Sequence, residues 1–458
     1  MKVAFFSPLP PARTGVAHYA SMLIPELRKH VELELNPVTS ELRDRIYQLG
    51  NNPQHEFVYR AAMSNPGVIV LHDVVLHHLI VEMTLARGDA EGYVEAMRAN
   101  HGEMGAAWAR GRIIGLHDEI ANFLMPASID IANRSRAVIV HNLWAAERLR
   151  SLGVTTPIHV VPHPYTPRIP NPEPRIPNRA IGFFGFLTSA KRAEVVLEAF
   201  RMARARDPRL QMHVVGEAAP NIRVPTGDGI TVTGYVEDLD PYYDKVDRIV
   251  NLRYPSAGET SGTLIRAFEA GKPVAVSDYA QFAEFPDDCV TKIPFGDNEV
   301  PSLIEFFLRD HPSPAAAQRR WLEENARMEL TVQGYLNALN GAPASVLSSS
   351  PAEAGVPLFP RLAMSWDGTT VTLTNEGDTT LLAGEYGDPG YRAVLKLFDG
   401  GRQVLDRWVS LPRDLAPGQQ ATFEFSGAGN RLTLTHALEG IPLLDETPAA
   451  EVELARVR

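Results

Sequence analysis

Short apolar runs that end at polar loops alternate with segments of helical periodicity along most of the chain, and this alternation limits the possible folds more than any other feature. Strands buried on both faces read as continuous apolar runs, and in α/β proteins they alternate with helices that cover a parallel sheet. Such runs occur at 2–6, 68–71, 137–140, 158–161, 180–185, 211–215, 230–233, 248–252, 274–277 and 290–293. We therefore predict an α/β protein with two successive Rossmann-like layers.

Proline and glycine mark the limits between the predicted domains. Six prolines lie between Pro164 and Pro177, where neither a helix nor a central strand can continue. A helix predicted over 314–339 closes the second layer, and a low-complexity linker follows it. The predicted domains are an N-terminal Rossmann-like domain at 1–165, a second Rossmann-like domain at 178–340, a linker at 341–355 and a β domain at 356–458.

The β domain is predicted from a change of period. After residue 356 the apolar residues alternate with polar ones, and turn signals rich in Asp, Gly and Pro separate the short segments. These segments lie at 370–374, 393–398, 420–425 and 431–435. Short alternating strands between turns are typical of a small immunoglobulin-like β-sandwich. No ionisable cluster in this region indicates catalysis.

Charge and cysteine content exclude several classes of function. The chain has 458 residues with a formal net charge of −11 and a sequence pI near 5.7, which argues against a nucleic-acid-binding protein. A single cysteine, Cys289, excludes an internal disulfide framework and a cysteine-based zinc cluster. The N-terminus lacks a signal-peptide pattern, and no run of about 18 apolar residues occurs. We expect a cytoplasmic protein, with peripheral contact at the inner face of the cytoplasmic membrane left open.

The segment from 247 to 274 has the pattern of an anion site. A strand at 248–252 is followed by a loop of small residues and then by a helix predicted at Thr263–Ala270. Unpaired N–H groups and the positive dipole end of that helix would face the loop. The small loop residues are Ser256, Gly258, Thr260, Ser261 and Gly262. The alternative is an ordinary helix cap, because the same residue types cap helices in general.

Two loops of the second layer are predicted to face a cleft between the layers, at 185–192 and 256–262. A departing diphosphate needs cations and N–H donors in place where its charge develops, and Lys191, Arg192 and Arg253 supply such cations. The alternative for Lys191 and Arg192 is a solvated pair at a helix start. No DxD pair and no His/Cys/Asp spacing looks like a divalent-metal site for a sugar nucleotide, so we expect no metal site.

His72 follows a buried apolar run and is expected at the carboxyl end of a strand, facing the cleft. One alternative is that His72 caps its loop together with Asp73. A metal site with His77 and His78 is a third, less favoured reading, because no further ligand is implied. The first loop of the chain lacks the GxGxxG pattern, which removes the main support for hydride chemistry.

Taken in order, these motifs resemble the GT-B glycosyltransferases of glycosyltransferase family 4, in a bacterial variant with a Gly-Glu-Thr-Ser-Gly loop. The likeness covers about residues 1–340. The motifs that carry it are Pro-Pro-x-x-Thr-Gly-x-Ala-x-Tyr, Leu-His-Asp-Val-Val-Leu-His-His, Val-Pro-His-Pro, Gly-Phe-Leu-Thr-x-x-Lys-Arg, Val-Thr-Gly-Tyr-Val and Gly-Glu-Thr-Ser-Gly. The resemblance implies two Rossmann-like domains facing a cleft, with the sugar nucleotide held mainly by the second and the acceptor by the first. It also implies metal-independent transfer that retains the anomeric configuration.

Carried over by position, the resemblance places Gly15 under the donor phosphate, His72 near the transferred sugar and Lys191 on the diphosphate. Glu259 matches the first glutamate of the family's Glu-x7-Glu motif. The chain departs from the pattern at two places. Phe186 stands where the family has an arginine, so that Arg192 would supply that charge. The second glutamate, which would bind the ribose hydroxyls, falls on Ala267 or Arg266, with Glu269 as a nearby substitute.

We therefore expect a hexosyltransferase that uses a UDP- or GDP-hexose and no further cofactor, and that acts on a polysaccharide or lipid-linked glycan. The predicted catalytic residues are His72, Glu259 and Lys191. The residues predicted to bind the donor are Gly15, Lys191, Arg192, Arg253, Thr260, Ser261, Gly262, Arg266 and Glu269. Two alternatives stay open: a non-catalytic glycan-binding or assembly protein with a degenerate core, and a sugar-nucleotide epimerase or hydrolase. The β domain resembles accessory domains of bacterial surface-polysaccharide enzymes.

Overall fold

Two compact units make up the chain in the computed structural model: residues 1–74 with 131–346, and residues 75–130 with 347–458. The structure describes residues 1–116, 120–167, 179–220, 222–236, 238–296, 298–342, 354–355, 362–377, 380–381, 391–399, 401–411, 415–438 and 450–453. The proline-rich boundary and the predicted linker thus lie largely outside the described residues. Among the described residues, no helix combines the length and the apolar character needed to cross a bilayer.

The first unit contains two six-stranded parallel sheets. The N-terminal sheet has the strand order β2-β1-β3-β4-β5-β6. Its strands are β1 (Lys2–Phe6), β2 (Glu32–Leu35), β3 (Arg45–Leu49), β4 (Val68–Leu71), β5 (Ala137–Val140) and β6 (Ile158–Val160). The helices of residues 1–167 are α1 (Gly15–Leu27), α2 (Glu56–Ser64), α3 (His77–Met83), α4 (Ala90–Ile113), α5 (Ile129–Arg134) and α6 (Leu143–Ser151). We call the part of this unit up to residue 167 the acceptor half, after its predicted role.

The second sheet has the order β12-β11-β10-β7-β8-β9, again all parallel. Its strands are β7 (Ala180–Phe184), β8 (Gln211–Val215), β9 (Ile230–Val232), β10 (Arg248–Asn251), β11 (Val274–Ser277) and β12 (Thr291–Ile293). Its helices are α7 (Ala193–Arg206), α8 (Asp240–Lys245), α9 (Gly262–Glu269) and α10 (Glu299–Leu308). Apolar clusters cover both faces of this sheet, as a doubly wound layer requires. We call residues 179–326 the donor half. The two predicted Rossmann-like layers are thereby confirmed.

The helical stretch predicted at about 314–339 is present but interrupted, and its second part does not close the second layer as predicted. The chain forms α11 (Ala315–Asn325) and α12 (Met328–Leu339), which are separated at Ala326 and Arg327. Arg327 has an extended backbone, with φ −67° and ψ 141°, so the helix cannot continue through it. α12 packs in the core of the N-terminal sheet, where Tyr335 and Leu339 join Tyr19 and Leu23 of α1. The chain therefore returns to the acceptor half after completing the donor half.

The second unit contains an all-β region, as predicted from the change of period after residue 356. Two antiparallel sheets, ordered β14-β15-β19 and β18-β17-β20-β21, share one apolar core that includes Trp366, Leu373, Leu397 and Leu434. The strands are β13 (Ala354–Gly355), β14 (Leu362–Trp366), β15 (Thr370–Asn375), β16 (Thr380–Leu381), β17 (Tyr391–Asp399), β18 (Arg402–Ser410), β19 (Gln420–Glu424), β20 (Arg431–Leu438) and β21 (Ala450–Glu453). Residues 75–130, inserted between β4 and β5, belong to the same unit.

Candidate active site

The loop between β10 and α9 is held in place by its own hydroxyl groups. The Ser261 side chain caps α9 by accepting from the Leu264 N–H at 3.3 Å. Ser261 and Thr263 both donate to Oδ1 of Asn251, at 3.1 and 3.0 Å, and so fasten the start of the helix to the end of β10. Nδ2 of Asn251 is buried and has no acceptor among the described residues. Gly262 is exposed at the first turn, and a Cβ there would meet nothing within 4 Å.

Glu259 and Arg253 form an ion pair within this loop. Nε of Arg253 donates to Oε1 of Glu259 at 2.5 Å, and the Ala257 N–H donates to Oε2 at 3.0 Å. The backbone N–H of Arg253 is itself fixed to the Ser277 hydroxyl at 2.9 Å. Both carboxylate oxygens of Glu259 are therefore bound by the protein, and the residue shapes the loop rather than presenting an unshielded nucleophile.

Lys191 is buried beside this ion pair. Lys191 is only 6% exposed, and its Nζ donates to the Phe184 carbonyl at 2.5 Å. Gly185 has φ +93°, and a Cβ there would lie 2.7 Å from Nζ of Lys191 and 3.6 Å from Cγ2 of Thr263. The ammonium thus approaches the start of α9. Burial, followed by the charge of Arg253, holds the pKa of Lys191 well below its usual value, and Glu259 opposes this shift.

Arg192 points to a different group of residues from its neighbour Lys191. It forms a two-point ion pair with the buried Glu299, at 3.1 and 2.5 Å, and its guanidinium lies 5.1 Å from the ring centre of Phe295. Arg192 has left-handed backbone angles, φ 57° and ψ 35°, which turn the chain before α7. The alternative of a solvated surface pair at 191–192 is wrong because Lys191 is buried and Arg192 is ion-paired.

The loop between β10 and α9 contacts the acceptor half directly. The Val74 N–H donates to the Ala257 carbonyl at 2.6 Å, and Nδ2 of Asn142 donates to the Gly258 carbonyl at 2.9 Å. Gly258 has φ +76°, and a Cβ there would lie 2.9 Å from Cγ2 of Val74 and 3.0 Å from Cζ3 of Trp144. Only glycine meets both the backbone angle and the close approach without strain. The two halves therefore meet at this loop.

Glu284 adds a second polar contact between the halves. Its carboxylate accepts from the backbone N–H groups of Trp144 at 2.6 Å and Leu143 at 3.3 Å, which are the first two of α6. A carboxylate at a helix N-terminus satisfies unpaired donors and interacts favourably with the helix dipole. The donor half thus supplies a second acceptor group to the N-terminus of α6, beside its capping residue Asn142.

We expect Glu284→Ala to lower the free energy of unfolding by about 1 kcal/mol, the usual cost of losing an N-terminal cap. The urea unfolding midpoint measures this change. The exposed Glu323→Ala on α11 is the matched control and should lie within about 0.5 kcal/mol of the parent. Equal stability of the two variants would show that Glu284 does not hold the halves together.

His72 lies at the end of β4, as predicted, but both of its ring nitrogens contact protein groups. Nε2 contacts Oε1 of Gln48, and Nδ1 lies 3.2 Å from Nε2 of His141. Gln48 in turn is bonded to the Tyr335 hydroxyl at 2.9 Å, and Tyr335 to the Tyr19 hydroxyl at 3.0 Å. His72 therefore belongs to a buried hydrogen-bonded chain that reaches α12.

The proton positions in this chain follow from its last member. Nδ1 of His141 donates to the Val161 carbonyl at 2.8 Å, so Nε2 of a neutral His141 must accept. His72 then carries its proton on Nδ1, and its Nε2 accepts from the amide of Gln48, whose two ends exchange by a half-turn of the side chain. Burial, reinforced by His141, His55 and His163, holds the pKa of His72 well below its usual value, consistent with neutral rings.

Asp73 was not among the predicted site residues. Oδ2 of Asp73 accepts from the Asn51 N–H at 2.8 Å. Burial and the carboxylate of Glu259 raise the pKa of Asp73 to about 7, while the Asn51 N–H and the charge of Arg253 act in the opposite direction. A carboxyl group of the acceptor half thus interacts electrostatically with the Glu259–Arg253 pair of the donor half.

The other predicted residues lie on α1, on α9 or directly before the cap of α9. Gly15 is exposed at the start of α1, next to the capping residue Thr14, and a Cβ on Gly15 would meet nothing within 4 Å. Arg266 donates to Oδ1 of Asp240 at 2.6 Å, and its Nη2 lies 3.5 Å from Nε2 of His18 on α1. Glu269 is the last residue of α9 and is half-buried. Thr260 is half-buried before the cap of that helix.

Comparison with known proteins gives the architecture a name. Residues 178–309 match the family model described as glycosyl transferases group 1. The solved structure of the Anabaena protein HepE in complex with UDP and glucose is similar, with 13% identity and a TM-score of 0.50 over 74% of this chain and 100% of that chain. The fold is GT-B. No curated protein matches the chain by sequence.

Two further solved structures are similar at lower scores. WaaG, a glycosyltransferase involved in lipopolysaccharide biosynthesis, has 15% identity and a TM-score of 0.48, over 74% of this chain and 100% of that chain. Sucrose-phosphate synthase from Thermosynechococcus elongatus has 16% identity and a TM-score of 0.46, over 74% of this chain and 98% of that chain. In the GT-B architecture of this chain, Lys191, Arg253 and Glu259 lie together at the carboxyl edge of the donor-half sheet.

Proposed function

We propose that the protein is a retaining, metal-independent glycosyltransferase that moves a hexose from a UDP- or GDP-sugar to a polysaccharide or a lipid-linked glycan. The observation that carries the proposal is the buried Lys191 beside the Arg253–Glu259 pair at the start of α9. Burying an ammonium without a full counter-charge costs free energy, and a bound diphosphate would supply that counter-charge. The match to the glycosyl transferases group 1 model over the donor half supports the same reading.

In the proposed reaction, the bond between the anomeric carbon and the diphosphate oxygen breaks and its electron pair leaves with the diphosphate. The acceptor hydroxyl approaches that carbon from the face that the diphosphate leaves, forms the new bond and gives its proton to a diphosphate oxygen, so that the anomeric configuration is retained. Lys191, Arg253 and the first N–H groups of α9 stabilise the charge that develops on the leaving group. Cations and helix N–H groups fixed before the reaction lower the barrier because they need no reorganisation when the charge appears.

Glu259 and His72 have supporting roles in this proposal. Both oxygens of Glu259 already bind the Arg253 side chain and the Ala257 N–H, so a covalent step through this carboxylate is disfavoured. His72 is held by Gln48 and His141, and its buried ring shapes the wall of the acceptor half nearest the loop. Arg192 is occupied by Glu299, and we assign it to the support of the 185–192 loop rather than to the diphosphate.

The proposal is tested by the release of nucleoside diphosphate from UDP-, GDP- and ADP-hexoses, measured with and without a cell-envelope extract as the source of acceptor. We expect release from one donor, and only when the extract is present. Consumption of donor without extract would instead indicate the epimerase or hydrolase alternative. Absence of release, together with retention of the protein on an envelope glycan, would indicate a glycan-binding protein with a degenerate core.

A further inference from the structure

The cleft contains a charged pair one helical turn beyond the proposed diphosphate position. Arg266 follows Gly262 by four residues, which corresponds to about 6 Å along α9. Its Nη1 donates to Oδ1 of Asp240, the first residue of α8, at 2.6 Å. The side chains of Arg266 and Asp240 are 30% and 35% exposed, so a ligand can reach both.

This pair faces the acceptor half. Nη2 of Arg266 lies 3.5 Å from Nε2 of His18, which is on the first turn of α1. Nearby in sequence, Tyr235 is 45% exposed, and the guanidinium of Arg13 lies 4.6 Å from its ring centre. Arg13 and His18 flank Gly15 in the sequence, so the start of α1 is opposite the segment that carries Tyr235, Asp240 and Arg266. The cleft therefore continues from Lys191 past the start of α9 to these residues.

The chemistry of a nucleoside diphosphate matches this order of groups. Beyond the diphosphate, the molecule presents a ribose with two adjacent hydroxyl groups. A carboxylate accepts hydrogen bonds from such hydroxyls, whereas an arginine can only donate. Arg266 alone therefore cannot accept the hydrogen bonds that the ribose hydroxyls donate. A carboxylate has about four acceptor positions, and Arg266 fixes the orientation of the Asp240 group through one of its oxygens.

We propose that Asp240, oriented by Arg266, binds the ribose hydroxyls of the donor nucleotide. The assignment rests on the proposed function, because it needs a diphosphate at the start of α9. Glu269 is the competing carboxylate on the same helix, but it lies seven residues past Gly262, about 10 Å along the axis. The ribose is attached directly to the diphosphate, and the nearer level of Arg266 and Asp240 fits that distance better.

The test compares UDP and GDP with their 2′,3′-dideoxy forms by isothermal titration calorimetry on the full-length protein. For the parent protein we expect the ribonucleotide that binds to bind about tenfold or more tightly than its dideoxy form, the value of a hydrogen bond to a charged group. In Asp240→Asn and Asp240→Ala, that ratio should fall below about threefold, while the affinity for the dideoxy form changes little. Glu305→Gln, which removes an exposed carboxylate of α10, is the matched control and should keep the tenfold ratio.

The outcomes separate this inference from the proposed function. If both Asp240 variants keep the tenfold ratio, or if Glu269→Gln abolishes it and they do not, the assignment to Asp240 is overturned while nucleotide binding stands. If the parent protein binds no nucleoside diphosphate at millimolar concentration, the proposed function itself fails. Thermal unfolding of each variant shows whether a lost ratio comes from a lost fold. Asp240 and Glu269 are both partly exposed, and we expect the melting temperatures of their variants to be near that of the parent.

Discussion

Replacing Lys191 with methionine is expected to abolish most nucleotide binding while leaving the protein folded. Methionine fills a similar volume and carries no charge, and the buried lysine already has a pKa held well below its usual value by burial and by Arg253. Stability should therefore change little. Binding should weaken by about 100-fold or more, because the variant loses the cation that meets the diphosphate.

Calorimetry with UDP and GDP measures the affinity, and the same titration in two buffers of different ionisation enthalpy measures proton uptake. Because a bound diphosphate favours the charged form of Lys191, the parent protein should take up more protons on binding than Lys191→Met does. The exposed Lys245→Met in the same half is the control and should behave as the parent. Affinity of Lys191→Met within threefold of the parent would contradict the assignment of Lys191 to the diphosphate.

The second large effect is acid destabilisation of the acceptor half. Burial lowers the pKa of His55 and of His141 to about 4 and that of His163 to about 3, and holds that of His72 well below its usual value. Unfolded histidine titrates near pH 6.5, so the unfolded chain binds more protons than the folded one below that pH. With respect to these four histidines, the free energy of unfolding is highest above about pH 6.5 and decreases as the pH falls. One histidine with a folded pKa of about 4 lowers the free energy of unfolding by about 3 kcal/mol between pH 6.5 and pH 4.

Asp73 changes stability in the opposite direction. Its pKa is raised to about 7 in the folded protein, whereas an unfolded aspartate titrates near pH 4. Asp73 therefore lowers the free energy of unfolding above pH 7, and this loss is regained as the pH falls from 7 to 4. One carboxyl group with a raised pKa cannot offset four histidines whose pKa values are lowered. The net expectation is a steep fall in the free energy of unfolding between pH 6.5 and 4.5, measured by urea unfolding at several pH values.

Two histidine variants test whether these histidines cause the dependence of stability on pH. His141→Asn removes one titrating group of the chain and should reduce the pH slope by about 1.4 kcal/mol per pH unit around pH 5. The exposed His30→Gln on the protein surface should leave the slope as in the parent. A flat stability profile between pH 6.5 and 5 would show that the buried rings do not stay neutral in the folded state.

The parallel sheets could be predicted where strands are buried on both faces. β4 and β5 are apolar throughout, and each was predicted to the residue. β2 and β3 escaped prediction because Glu32 and Glu34 alternate with leucines in one, and Arg45 and Gln48 interrupt the other. Local sequence does not reveal that Gln48 is buried by its contacts with residues distant in the chain.

The site could be predicted only where one segment carries it. The loop with Glu259 and the helix cap at Ser261 were predictable because the residues that hold them are adjacent in sequence. Asp73, Asp240 and Glu284 were missed because each acts on a group of a distant segment: the Glu259 pair, the Arg266 side chain and the α6 N-terminus. Such pairings depend on how the two halves pack, which periodicity and spacing do not specify.

The return of α12 to the acceptor half has a mechanical consequence. The chain passes between the halves twice, and the two passages lie side by side: the Tyr165 N–H donates to the Ala326 carbonyl at 2.9 Å, and the Thr331 hydroxyl to the Pro162 carbonyl at 2.9 Å. Two adjacent covalent passages permit rotation about the line that joins them but resist sliding and separation. Opening of the cleft should therefore be a rotation about the line that joins these two passages.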